Sequence, residues 1–208
     1  MLDERKRLLM AAIIKISNVT QALILTIIVW SFYAVLLLED PTVYGENNLL
    51  ENTQALTLAL TLLLFLIPLF DSVRNDRLIA VFLSLLTLGF ILRELDVEKF
   101  DVPNILILVG SGKGRNFLLG SGLILTLLTA LFRFRYYLSL SRCFLRNGSG
   151  IATLFAGLFL IVGDMFEKIN IPYHVLYEES LELIGYAVLL LAASKLARRE
   201  VKSDTFIR

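Results

Sequence analysis

The chain has 208 residues but only one histidine, His174, and one cysteine, Cys143. A zinc hydrolase built on His-Glu-x-x-His, or on three histidines around one metal, cannot be assembled from a single imidazole. One thiol forms no internal disulfide, so cysteine usage does not report the redox compartment. Proline is also scarce, and of four only Pro68 falls inside a long apolar run, which leaves those runs free to continue as helices. No Gly-x-Ser-x-Gly elbow occurs, and any serine nucleophile using a histidine base would depend on His174. Gly163 and Asp164 make half of an intramembrane aspartyl protease pattern, but Ile161 stands where its first glycine belongs. The Gly110–Arg115 run places Gly114 after Lys113, where a phosphate loop requires Ser or Thr. Internal duplication is missing too, which withdraws one common signature of transporters.

Hydrophobic residues make up 57% of the chain and are gathered into six long runs. Backbone crossing a bilayer must satisfy its own hydrogen bonds, so only helices or closed barrels do so. These runs are continuous rather than alternating, which excludes a barrel. The sequence predicts an all-α, polytopic membrane protein, one integral membrane domain over 1–208 with six transmembrane helices in a single bundle. Spans are expected at about 19–38, 52–70, 78–97, 116–134, 150–167 and 178–196, with an interfacial helix over 1–17. The apolar stretch 102–109 is too short to span and is expected to lie in the interface or to re-enter shallowly.

Short-loop charges set the orientation. With both termini, 71–77 and 133–146 on the cytoplasmic side, that side holds 15 Lys and Arg against 6 Asp and Glu, and the other side 5 against 13. A cell-membrane protein with cytoplasmic N- and C-termini is therefore expected. Arg133, Arg135, Arg142 and Arg146 interleave with Phe132, Phe134, Tyr136, Tyr137 and Phe144. Such a stretch suits anionic lipids at the cytoplasmic face and does not require nucleic acid.

Several spans are short for a hydrocarbon core about 30 Å thick, which takes about 20 residues of helix. Only 15 residues, Leu78 to Leu92, precede Arg93 and Glu94 in the third, and 13, Ile151 to Gly163, precede Asp164 in the fifth. The missing length is occupied by polar side chains at the outer ends. Glu51, Glu94, Asp164, Glu167, Glu178 and Glu182 become the candidate ligands of a cation, with Glu179 beside them. Glu178 and Glu182 are four apart, and Glu179 and Glu182 three apart, so a helix gathers them on one sector. Like charges in a poorly solvated place must be protonated, paired or neutralised by a cation, and hard oxygen donors favour a divalent ion. Arg93 is the candidate partner for a carboxylate or a lipid phosphate, and His174 a candidate ligand or proton relay. Carboxylates opening a helix also satisfy its dipole, which accounts for Glu51 and Glu178 but not for Glu94, Asp164 and Glu167 at C-terminal ends.

The leading expectation is an integral membrane protein with an acidic, cation-binding site opening to the outer face between the second, third, fifth and sixth helices. A membrane enzyme acting on a lipid or lipid-linked headgroup at the outer leaflet is the alternative. A noncatalytic scaffold or accessory subunit is the third.

Overall fold

The computed structural model describes residues 2–44, 49–71, 74–95, 112–169 and 171–198, with single positions at 103, 107 and 110. The segment 102–109 and the last residues of the basic tail, Arg199 and Lys202 among them, fall largely or wholly outside that set. The described residues are all-helical. Seven α-helices follow one another as α1 (Leu2–Leu37), α2 (Leu49–Leu66), α3 (Arg77–Glu94), α4 (Gly112–Phe132), α5 (Phe134–Leu145), α6 (Gly148–Glu167) and α7 (His174–Ala197).

Five of these, α1, α2, α4, α6 and α7, are long and apolar enough to cross a membrane, so the protein is a multi-pass membrane protein. Six such spans were expected. The difference is α3, which carries Arg77, Arg93 and Glu94 within its 18 residues. A second difference lies at the N-terminus. Residues 2–37 form one uninterrupted helix, because no proline or glycine separates the basic start from the apolar run. At the end of α2, Pro68 cannot donate an amide and the chain tightens into a 3₁₀ turn over Ile67–Phe70.

The centre of the bundle is α7, buried over 61% of its apolar window, whereas α4 is buried over only 6%. Small residues explain the position of α7. Lipid tails are as apolar as leucine, so helices associate in a bilayer mainly by close packing of small side chains. Ser180, Gly185, Ala192, Ala193 and Ser194 are all buried on α7. A methyl group on Gly185 would stand 3.0 Å from Leu160 Cδ2 and 3.3 Å from the Ala156 carbonyl oxygen. The bare backbone there lets α6 lie against α7. On its other sides α7 meets α2 and α1, while α3 packs on α2 and α4 packs on α3. The core joins Leu58 and Phe65 of α2, Ala80 and Leu83 of α3, and Tyr186, Leu189 and Ala193 of α7.

One end of the bundle is locked by a buried ion pair. Arg74, 6% exposed, makes a bidentate pair with Asp76 at 2.9 and 2.8 Å and donates to the Leu196 carbonyl at 2.9 Å. The guanidinium thereby caps the last turn of α7, where backbone carbonyls lack helical partners. Arg74 and Asp76 thus clamp the start of α3 to the end of the central helix.

Candidate functional site

The opposite end of the bundle is polar, and α3 and α7 build most of it. Arg93 and Glu94 close α3, while α7 presents Glu179, Glu182 and Tyr186 at spacings of three and four, which places them along one face. Arg93 Nη2 donates to Glu182 Oε1 at 2.5 Å, to Glu94 Oε1 at 2.9 Å and to the Tyr186 hydroxyl at 3.1 Å. Arg93 Nε donates to Glu94 Oε1 at 3.1 Å, and Tyr186 donates to the same oxygen at 2.8 Å. Two carboxylates therefore share one guanidinium, with the phenol closing the ring of contacts. The Glu94 and Glu182 side chains are only 8% and 6% exposed, and that of Arg93 is 47% exposed. The Phe90 ring packs against the Tyr186 ring at a tilt of 48°, with centroids 5.8 Å apart. Arg93 Nη1 has no partner among the described residues.

A second carboxylate system adjoins the first. Gln54 on α2 is fully buried, and its Nε2 donates to Glu179 Oε2 at 2.7 Å and to the Glu179 carbonyl at 3.0 Å. Gln54 Oε1 finds no hydrogen-bond partner among the described residues. The amide neutralises nothing, so Glu179 has a hydrogen bond but no cation beside it among the described residues. Beneath Gln54 run Thr57 and Thr61 of α2, buried with Ser84 and Thr87 of α3. Thr57, Thr61 and Thr87 each donate to the carbonyl four residues back, at 2.7 to 2.8 Å, and their oxygens keep acceptor capacity. The Ser84 hydroxyl has no partner among the described residues.

Helix α6 reaches this end through Gly163. A methyl group there would stand 3.2 Å from Glu182 Cγ and 3.5 Å from the Glu178 carbonyl oxygen, so the glycine lets α6 press on the turn of α7 that carries the carboxylates. Asp164, next in sequence, points elsewhere. It is exposed and accepts from Lys168 at 2.6 Å, a hydrogen bond that holds the Lys168 ammonium above the usual lysine range. Glu167 is likewise exposed.

Of the residues singled out by sequence, Arg93, Glu94 and Glu182 meet directly. Glu178 lies partly buried on the first turns of α7, and Glu51 one turn before Gln54 on α2. His174 opens α7 with Nδ1 3.2 Å from the Ile171 carbonyl, which engages that nitrogen in the local turn. Arg115, in the first turn of α4, donates to the Leu92 carbonyl at 2.9 Å and caps the end of α3. Gln54 and Tyr186 complete the site with little sequence signal, one a polar flank and the other a tyrosine inside an apolar run. Their spacing from Glu179 and Glu182 on α7, and from Thr57 and Thr61 on α2, is the pattern that marks them.

Among the described residues no three His, Cys, Asp or Glu side chains converge in a way that would hold a metal ion. The cation already in place for Glu94 and Glu182 is Arg93. No family model, curated protein or solved structure matches this chain.

Proposed function

We propose that this chain crosses the membrane six times, with α3 as the third span and both termini cytoplasmic, and that it binds a cation at the outer ends of α2, α3 and α7. The observation that carries this reading is the charge balance. Glu94 and Glu182 share the single guanidinium of Arg93 and are nearly inaccessible, while Glu179, one turn from Glu182 on α7, is met by the neutral Gln54 amide and by no cation among the described residues. Such a set is stable when it takes up a positive charge, either a proton or an ion. The unpartnered Gln54 Oε1 supplies a further oxygen. With one guanidinium present and no ready set of six to eight oxygens, the arrangement suits a proton or a singly charged cation better than a divalent metal. Arg93 then serves as the resident charge that an arriving cation displaces from Glu182.

The test is thermal stability of the purified protein at constant ionic strength across sodium, potassium, magnesium, calcium and choline chlorides and across pH. A saturable rise in Tm with one monovalent ion, or with acidification, is expected to vanish in Glu179→Gln. No response to any cation or to pH beyond that of the variant would sink the reading and favour a scaffold.

A second reading has one observation in its favour. Arg93 is half exposed and keeps Nη1 uncommitted, so it can meet a phosphate of an outer-leaflet headgroup. Binding of glycerophosphoethanolamine that is weakened in Arg93→Lys and untouched in Glu179→Gln would favour that reading over the first.

A further inference from the structure

At the other end of the bundle, far along the helices from the acidic site, α4 packs on α3 while α6 packs on α7, and a cleft is left between the two pairs. A cavity of about 400 Å³ fills this cleft. Phe82 and Leu83 of α3, Leu127 and Ala130 of α4, Phe144 of α5 and Leu154 of α6 form its apolar walls. Leu127 and Leu154 are more than half exposed, so the cleft opens sideways. The short amphipathic helix α5 closes its end.

Helix α5 and its flanks carry positive charge beside the cavity, whose wall itself contains no arginine among the described residues. Arg133, Arg135, Arg142 and Arg146 stand in and beside it, and residues 133–146 contain no acidic residue. All four are exposed, and none pairs with a carboxylate among the described residues. Tyr137 and Ser141, one turn apart on α5, line the cavity, and neither hydroxyl has a partner among the described residues. The same short element therefore offers an apolar wall, two free hydroxyls and four unbalanced positive charges.

We propose that this cleft binds one anionic phospholipid, with an acyl chain in the cavity and the phosphate on the α5 arginines. Size favours a single chain over a partner helix, which is roughly 10 Å across. An extended acyl chain enters lengthwise from the open side. Charge decides the headgroup, since cations that lack acidic partners at a membrane surface attract anionic lipid. The hydroxyls of Tyr137 and Ser141 belong to residues of the cavity wall and can donate to the glycerol esters of such a lipid. This site is separate from the acidic end and stands whether or not a cation binds there.

The experiment reconstitutes the full chain with vesicles of phosphatidylcholine and phosphatidylglycerol in equal amounts, then counts retained lipids by native mass spectrometry after gentle detergent extraction. One phosphatidylglycerol per chain is expected in excess of phosphatidylcholine. Ala130→Trp fills the cavity and abolishes retention of either lipid. Leu154→Trp does the same from the exposed rim, where a large side chain does not disturb the core, and so serves if Ala130→Trp does not fold. The double variant Arg135→Gln, Arg142→Gln lowers the preference for phosphatidylglycerol by about tenfold or more while a lipid is still retained. Equal binding of the two lipids, or retention unchanged in both tryptophan variants, overturns the proposal. A lipid-free dimer that Leu154→Trp dissociates also overturns it and makes the cleft a contact between two copies.

Discussion

Arg93 carries an unequal load, because one guanidinium satisfies two carboxylates and a phenol that have almost no access to water. Removing one member of such a pair leaves the other charge buried and alone, which costs more than the pair gains by forming. Arg93→Ala is expected to lower stability by about 3 kcal/mol, the low end for a broken buried pair, because the Arg93 side chain is itself 47% exposed. Arg93→Lys restores only part, since an ammonium cannot reproduce the fork that reaches Glu94 through Nε and Nη2 together. Tyr186→Phe removes one hydroxyl from the network and is expected to cost about 1 to 2 kcal/mol. Denaturation in detergent checks the order Arg93→Ala, Arg93→Lys, Tyr186→Phe, and equal losses in all three would contradict the shared-guanidinium arrangement. The sequence shows Arg93, Glu94 and Glu182 as charges where a span falls short. It does not show that Asp164, at the same depth, turns to Lys168 instead, because a lysine four residues on competes locally and helical spacing alone does not say which face meets the bundle.

Helix α7 decides the packing of its neighbours, and its small residues are what admit them. Gly185 tolerates no side chain without moving Leu160 or the Ala156 carbonyl. Gly185→Ala is expected to cost about 1 to 3 kcal/mol, as overpacking of a closed contact does. Gly157→Ala, on the adjoining helix α6, meets open space and serves as the matched control with little expected change. A loss in the control equal to that at Gly185 would mean that helix composition, rather than the α6–α7 contact, sets stability. Element boundaries were readable within a few residues for α2, α3, α6 and α7, since apolar length and flanking charge both mark them. The single long α1 was not, because a basic amphipathic start and an apolar span obey the same helical propensity and nothing in the residues forces a break between them. Nor was the Arg74–Asp76 clamp on α7 legible, as its partner is a backbone carbonyl 122 residues away.

For the whole molecule, the charge asymmetry becomes a statement about which way the bundle sits. The four arginines in and beside α5 and the proposed lipid cleft lie at the end that carries the excess of basic residues, and the acidic site lies at the other end. If positive charge stays on the cytoplasmic side, the lone cysteine reports the orientation without further engineering. Cys143 is a free, partly exposed thiol on α5. In intact cells a membrane-impermeant maleimide is expected to leave it unlabelled, and permeabilisation to expose it. Lys168→Cys, at the exposed end of α6 beside the acidic site, is expected to be labelled in intact cells in a Cys143→Ser background. Both thiols reacting from the same side would require an odd number of crossings between α5 and the end of α6 to be wrong, and with it the six-span path. Labelling of Cys143 from outside and Lys168→Cys only after permeabilisation would keep the path but invert it. The acidic site would then face the cytoplasm, where the proposed cation would be drawn from the interior, and the cleft beside the α5 arginines would meet the outer leaflet.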